Sequence, residues 1–579
     1  MNAVDTNTGK SIKNRNVLRR IGSALALGGK KVLRVIVGKT LPQRLFRLYL
    51  IIIITGALFL CAPFCLQKIQ LDSGEWVQLN GFKNVNGYGF IQALFIACSG
   101  FSDTGLTPVN IYQYLNVGGQ VVLIILIEIG GIGVVALFYY VWNFFKKKDD
   151  KIDVGQLYIM QAERGGSKLS QSFHVIKVAL IFILSTQVVF MFSYALCFCF
   201  IPAYEQQFIQ LDKPIFEHSA IFQGISFDST HRLPMYHNFG KSLWIGLFTT
   251  VSAMNNAGFD NISSTSMAPF RNDTGIAFQT LIVLELIIGG LGHFVWFDVV
   301  EKIKCKATGK RYKMTLYSKV AISVYAIVAV LGLGGTFACE FLNPDAKSNL
   351  EIGTYAGQVI YLKDLTIVGN RNLFGEFGNH SMVNKCFGII FQTFNCRSLG
   401  METIKTNVFA GGTKWILTIL MFIGASPCST AGGIRTTTLA VIIVTIWCKL
   451  CGRKNVFFFK RRIHPDTVTQ SFMIFVISLV LLLVGAVVLK SATPVPSAYK
   501  DTPYVWFSFT EYMVECSSAF GTVGLSTGIT SVTEWWGLLY LVILMFVGQL
   551  GVINTLLSWT RFHPHFNDIE YPYEDIKIG

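Results

Sequence analysis

The sequence predicts an all-α polytopic membrane protein made of four tandem repeats, each an outer helix, a loop that re-enters the membrane and an inner helix. Three observations predict it. Apolar runs of membrane length recur along the chain, basic residues gather between them, and a glycine-centred turn returns four times in the same setting.

Composition sets the class. Of 579 residues, 52% are hydrophobic and only 14% charged, against about 25% charged in a soluble domain. Runs such as "LYLIIIITGALFLCAPF" suffice to cross a hydrocarbon core. The net charge of +16 would suit a nucleic acid, but its placement does not. Of the 49 lysines and arginines, 33 fall in residues 1–47, 144–177, 301–319, 449–462 and 561–579. These are the termini and three connectors, where the positive-inside rule puts basic residues on the cytoplasmic face. No nucleic-acid partner is expected. The first apolar run lacks a small-residue cleavage site, so no cleavable signal peptide is expected. The thirteen cysteines are scattered without CxxC spacing and read as reduced packing residues.

The repeats follow in order. Membrane-length segments lie at about 48–66, 172–202, 317–342 and 468–490. After each comes a turn: "CSGFSDTGLTP" around Gly105, "SAMNNAGFDN" around Gly258, "FNCRSLGMET" around Gly400 and "SAFGTVGLST" around Gly524. A large apolar residue follows each glycine: Leu106, Phe259, Met401 and Leu525. A second glycine mark then appears inside the next apolar segment, at Gly130, Gly289, Gly424 and Gly548, which is 25, 31, 24 and 24 residues further on. The boundaries are a basic cytoplasmic segment 1–47, repeats at 48–145, 146–300, 301–448 and 449–560, and a cytoplasmic tail 561–579. Repeat two begins with its basic connector. Both termini are then cytoplasmic, and all four turns enter from outside.

Four like turns in one chain suggest a ring around a pseudo-fourfold pore. Such a ring can present backbone carbonyls inward, in place of a cation's hydration shell. Glycine supplies the φ freedom to aim them. The re-entrant helices would turn their negative C-terminal ends to the axis. Four ordinary surface hairpins are the alternative, and they leave the shared register unexplained.

At these residues the sequence resembles the superfamily of K⁺ transporters that includes the TrkH, KtrB and plant HKT proteins. The likeness covers nearly the whole chain after residue 45. It is strongest in "SAFGTVGLSTG" and in "MFIGASPCSTAGGIRTTT" from Met421, which looks like the family's intramembrane loop. The resemblance implies K⁺ uptake across the plasma membrane, with Na⁺ as a coupled ion left open and a Na⁺-conducting member as the alternative. It implies a homodimer on a cytosolic nucleotide-binding regulatory subunit, a KtrA-like ring. The ending "IEYPYEDIKIG" is similar to the short end of KtrB subunits, and is otherwise a solvated acidic tail. Plant sodium-type members carry Ser at the first filter position; the four glycines here favour K⁺.

The candidate filter is each glycine with the residue before it: Thr104 and Gly105, Ala257 and Gly258, Leu399 and Gly400, Val523 and Gly524. The candidate gate is Gly424, Ser426, Pro427, Ser429, Thr430, Gly432 and Gly433. There Pro427 removes a donor and the paired glycines loosen a polar stretch at membrane depth; a helix kink is the plainer reading. Asp103 would attract cations at the outer mouth or cap a turn. Asn255 and Asn256 would brace the second filter or serve as loop residues tolerant of left-handed backbone. Arg397, costly if buried, would bond Glu511 or Glu515 of the next repeat, while Arg435 would snorkel to the interface. Glu128 and Glu285 would set a cavity field or pair locally. Two positions depart from the family pattern: the third filter reads "CRSLGM", and Gln549 stands where relatives usually place an arginine that bars the pore.

An enzyme is not expected. No GxxxxGK[ST], HExxH or GxSxG stands in a supporting context, and "GLGGTF" from Gly332 lies in an apolar helix. An alternating-access carrier would show inverted repeats, whereas these four run the same way.

Overall fold

Four long apolar helices stand where the sequence places the outer spans: Leu41–Cys61, Leu169–Phe200, Leu316–Phe341 and Pro465–Ala492. Each contains a stretch long and apolar enough to cross a membrane. This computed structural model describes residues 41–70, 76–82, 88–133, 169–202, 204–205, 231–263, 266–270, 275–341, 351–355, 358–361, 382–427, 429–453, 455–458, 461–494, 507–552 and 555. The basic segment up to residue 40, the connector over 146–168 and the tail 561–579 lie outside the described residues. Contacts divide the chain into Ile51–Val552, which carries everything below, and Met1–Leu50 with Ile553–Gly579.

Local chemistry sets the helix ends. The first outer helix stops at Cys61, short of the expected 66, because Pro63 follows: Ala62 is extended at φ −71°, ψ 140°, as a residue just ahead of a proline turn must be. The fourth begins with His464 as N-cap, Pro465 in its first turn and Asp466 beside the positive helix end, and it has Lys490 in its last turn. All four choices suit the macrodipole or the unpaired first N–H groups. Large apolar side chains on these helices stay open, Leu331 at 69% and Val189 at 63%. That is the face a bilayer covers.

A short helix follows in each repeat: Phe90–Phe101, Phe239–Met254, Met382–Asn395 and Phe509–Gly521. Each of the three with a described start is capped by side chain. Gln92 accepts from the Gly89 N–H at 3.0 Å, Asn238 from Lys241 at 3.2 Å and Glu511 from Ser508 at 2.8 Å. At about 1.5 Å per residue, helices of this length reach only part-way through a membrane.

The inner helices are Val117–Ile132, Ile276–Leu291, Gly411–Phe422 resuming as Thr436–Leu450, and Trp535–Leu550. Each packs on the short helix of the next repeat, and the fourth packs on that of the first. The four repeats therefore interlock in a closed cycle. Among the described residues the structure adds four small two-stranded antiparallel ribbons, such as Lys68–Gln70 with Trp76–Gln78, to an otherwise helical body.

The second glycine mark now has a cause. A Cβ at Gly130 would lie 1.9 Å from the Phe101 carbonyl oxygen, at Gly289 2.2 Å from that of Met254, and at Gly548 2.0 Å from that of Phe520. These are backbone oxygens at the end of each repeat's own short helix, so only glycine lets the inner helix come this close. Three residues on, Gly133, Gly292 and Gly551 end these helices at φ 97°, 83° and 87° with extended ψ, a region open essentially to glycine alone. Gly130→Ala is expected to cost about 1–3 kcal/mol of stability through overpacking. Gly334→Ala, where no atom lies within 4 Å, should leave stability unchanged or raise it. Unfolding midpoints of the purified variants in detergent check this; equal midpoints would show that the helices can simply move apart.

Candidate functional site

The four filter glycines form a ring, and each carries positive φ: 84° at Gly105, 72° at Gly258, 78° at Gly400 and 96° at Gly524. A Cβ on Gly105 would lie 2.5 Å from the Ala257 carbonyl oxygen, on Gly258 2.2 Å from that of Leu399, on Gly400 2.2 Å from that of Val523, and on Gly524 2.3 Å from that of Thr104. The order runs one to two to three to four and back to one. Every glycine predicted from the sequence thus abuts the carbonyl of the residue paired with its neighbour, and the eight filter candidates meet in one closed ring.

The short helices position this ring. In repeats one, two and four the last turn closes with a paired set of bonds. Thr104, Ala257 and Val523 donate to the carbonyls of Ser99, Ser252 and Ser518 at 2.8, 2.7 and 2.8 Å, while Asp103, Asn256 and Thr522 donate to those three residues before them. This is a Schellman closure, which requires a left-handed residue just past the helix. Asp103, Asn256 and Thr522 fill that role at φ 52°, 56° and 50°. In repeat three the closure is one residue tighter, Leu399 to Asn395 at 2.9 Å, and Ser398 takes φ 93°. Four left-handed residues without the freedom of glycine thus stand two places before the ring glycines. The sequence reading offered left-handed backbone as one alternative at Asn256 and missed it at Asp103, Ser398 and Thr522, although Asp too tolerates that region.

The expected outer-mouth place for Asp103 is corrected. It is fully buried and occupies the cap position, at the end of the filter segment that adjoins the inner-helix ends. Gln549 Nε2 donates to its Oδ2 at 3.4 Å.

The third inner helix breaks between Phe422 and Thr436, and the gate candidates lie directly against the ring's supports. Gly432 N–H donates to Thr522 Oγ1 at 2.6 Å. The Asn256 amide lies 3.0 Å from the Thr430 hydroxyl; with its oxygen on that side it also accepts from Gly290 N–H at 3.2 Å, and its nitrogen donates to Ala253 at 3.1 Å. Ser426 N–H donates to the Gly290 carbonyl at 3.2 Å, and Tyr317 donates to the Pro427 carbonyl. The break is more than a kink, because its two sides bridge again at Ile423 and Ile434. A Cβ on Gly424 would lie 1.8 Å from the Gly432 carbonyl oxygen, and Gly433 turns at φ 74°. Ser429 completes a tight turn by donating its N–H to the Ser426 carbonyl at 3.2 Å.

Arg397 is buried, but neither Glu511 nor Glu515 is the partner found. Its Nη2 donates to the Gly424 carbonyl at 3.2 Å, and its guanidinium lies 4.7 Å over the Tyr325 ring. Glu511 pairs with Lys414 at 2.7 Å. Glu515 accepts from Ser526 at 2.7 Å and from the N–H groups of Thr527 and Thr530 at 3.0 and 3.1 Å. That fan of donors fixes the loop leaving the fourth filter, and no spacing rule would have found it. Arg435 is half-buried and turns inward, donating to the carbonyls of Ala431 and, at 3.5 Å, Gln549. Glu128 and Glu285 pair locally: Glu128 accepts from Gln187 at 2.9 Å and Asn255 at 2.8 Å, and Glu285 from Tyr194 at 2.5 Å. Asn255 therefore braces the second filter through Glu128.

A closed ring of four carbonyl-bearing turns has an obvious counterpart among known families. A family model described as a cation transport protein, TrkH, matches residues 66–568. The chain belongs to the TrkH family. It is 36% identical to the "Uncharacterized cation transporter MG322 homolog" of Mycoplasma pneumoniae, over 94% of this chain and 96% of that one. It is 27% identical to the Ktr system potassium uptake protein D of Bacillus subtilis, over 93% and 97% of the two chains. In fold it is similar to the crystal structure of the potassium transporter TrkH from Vibrio parahaemolyticus, with a TM-score of 0.54 and 14% identity over 88% of this chain and 84% of that one. This TrkH-family member is a multi-pass membrane protein and a cation transporter of the TrkH/Ktr kind, not an enzyme. Thr522→Val keeps the β-branched shape at φ 50° and removes only the acceptor for Gly432. It is expected to cost about 1–3 kcal/mol, the penalty of a buried N–H left unpaired. A thermal midpoint equal to that of the unaltered protein would show that water replaces the hydroxyl.

Proposed function

We propose that this TrkH-family chain takes up K⁺ across the cell membrane through the ring of Thr104–Gly105, Ala257–Gly258, Leu399–Gly400 and Val523–Gly524. The observation that carries the reading is the cyclic abutment of each glycine on its neighbour's carbonyl. A ring held this closely keeps four oxygens at fixed spacing, and a cation that sheds its water there is compensated by them. The four short-helix ends add partial negative charge around the same point. Asn256 and Arg397 act as supports: one bonds the loop, the other holds the start of the break.

The segment from Gly424 to Gly433 serves as the gate in this reading. It lies against Asn256 and Thr522, so moving it disturbs the ring's own supports. Two further proposals rest on the resemblance, a homodimer on a cytosolic nucleotide-binding regulatory subunit and Na⁺ as coupled ion, while the cytoplasmic placement of both termini rests on the basic residues gathered there. A second reading, a Na⁺-conducting or weakly selective path, draws support from the 27% identity to the potassium/sodium uptake protein NtpJ of Enterococcus hirae.

Gly105 has the most room of the four, 2.5 Å against 2.2–2.3 Å at the others, so Gly105→Ser is the mildest change to the ring. It is expected to raise Na⁺ relative to K⁺ permeation while the protein still reaches the membrane. Uptake of both ions in cells lacking their own K⁺ uptake measures it, and an unchanged ratio in a well-expressed variant would remove the ring from the ion path. Deleting residues 426–430 should leave a conducting protein less dependent on the cytosolic subunit; conductance and regulation as before would reduce the break to architecture.

A further inference from the structure

The second inner helix ends at Leu291, and the chain turns there by 99° into a further helix, His293–Ala307. A helix set across one that enters a bilayer lies along the membrane surface. Trp296 holds the bend: its Nε1 donates to the Ile288 carbonyl at 2.6 Å, and its ring stacks on Phe182 of the second outer helix at 4.8 Å. Residues 299–313 carry six exposed basic residues, Lys302, Lys304, Lys306, Lys310, Arg311 and Lys313. The one acid among them, Glu301, is paired with Lys304 at 3.1 Å. At about 100° per residue, Val299, Val300 and Ile303 form one strip of the helix, with Lys302 and Lys306 on one flank and Lys304 on the other. Ile303 is 63% exposed. An open apolar strip between lysines is the pattern of a helix seated at the boundary of headgroups and acyl chains. The positive-inside rule accounts for basic residues on this connector, but not for the apolar strip they flank.

The same helix is tied to the gate segment. Asp298 is buried and accepts from Tyr312 Oη at 2.8 Å, from the Thr315 N–H and Oγ1 at 2.9 and 2.6 Å, and from Ser318 Oγ at 2.6 Å. These bonds clamp the basic turn and the foot of the third outer helix onto His293–Ala307. Between Thr315 and Ser318 stands Tyr317. Its ring meets Phe294 edge-on at 6.0 Å, and its hydroxyl donates to the Pro427 carbonyl. One corner thus joins the surface helix, the third outer helix and the gate candidates.

We infer that His293–Ala307 and the turn after it bind anionic phospholipid headgroups of the cytoplasmic leaflet, and that this docking holds Pro427 toward the third outer helix, away from the ring. Charge complementarity names the occupant, because phosphodiester headgroups lie at the depth of the helix and attract each lysine or arginine near them. The link to transport rests on the reading of the ring as ion path and of residues 424–433 as gate.

The full chain in neutral detergent is titrated with phosphatidylglycerol and, separately, with phosphatidylcholine. The thermal midpoint is expected to rise and saturate with phosphatidylglycerol alone, since a ligand of the folded state stabilises it. Lys302→Gln, Lys304→Gln and Lys306→Gln together should weaken this binding about 100-fold, roughly fivefold for each lysine. Arg461→Gln with Arg462→Gln, exposed on the next basic connector, should leave it unchanged. Equal weakening in both variants reduces the effect to net charge and overturns the docking; so does an equal response to the two lipids, which leaves the helix to another partner such as the regulatory subunit. K⁺ flux into vesicles reads the link to the gate. It should rise with phosphatidylglycerol in the unaltered protein, while Tyr317→Phe keeps the midpoint shift and loses that rise. Flux indifferent to phosphatidylglycerol in the unaltered protein, or a rise kept by Tyr317→Phe, overturns the link. Failure of the ring reading looks different: no K⁺ flux in either vesicle, with the midpoint shift intact, refutes the ion path and leaves the docking standing.

Discussion

Everything here depends on one close approach: a backbone oxygen of each repeat stands where the preceding repeat's filter glycine would carry a Cβ. Four such contacts make the ring, and each is shorter than any real Cβ contact permits. Glycine is required twice over at these places, for space and for positive φ. The same device recurs where inner helices meet short helices, so glycine governs both the aperture and the wall behind it. The remaining supports serve to hold these contacts: Schellman closures at three helix ends, the Glu515 fan, and Asn255 on Glu128.

The third repeat breaks the symmetry, and its departures belong together. Its inner helix is interrupted, its short helix closes one residue tighter, and Arg397 occupies the interior there. A buried guanidinium needs acceptors. The break frees the Gly424 carbonyl from the helical ladder, and that oxygen becomes the partner of Arg397. The Tyr325 face covers the cation from the third outer helix, an arrangement favourable for a desolvated guanidinium. One interruption thus provides both a polar segment against the ring and the means to hold a charge behind it.

Much of this was legible in the sequence because glycine leaves a periodic trace. The four outer spans, the turn glycines and the second glycine marks recur in the same order in every repeat, and the spans fell into long apolar helices. Asp103, Asn256, Ser398 and Thr522 did not announce their shared conformation, since Ser and Thr seldom adopt it and give no warning. The partner of Arg397 was misread because charge suggests charge, whereas the interior offered a carbonyl and an aromatic face. The place of Asp103 depended on which way a short helix points its last turn, and composition does not encode that.

The contact of Gly524 with the Thr104 carbonyl joins residues 420 positions apart, and the bond from Gln549 to Asp103 spans 446. A chain made from its N-terminus lays down three quarters of the circle before the piece that closes it exists. Loop-closure entropy must be overcome before such distant contacts give anything back. Until then the first and third repeats each present an unmatched flank. The aperture is therefore the last thing the molecule acquires in its biogenesis, and a chain cut short anywhere before the fourth repeat encloses no passage through the membrane.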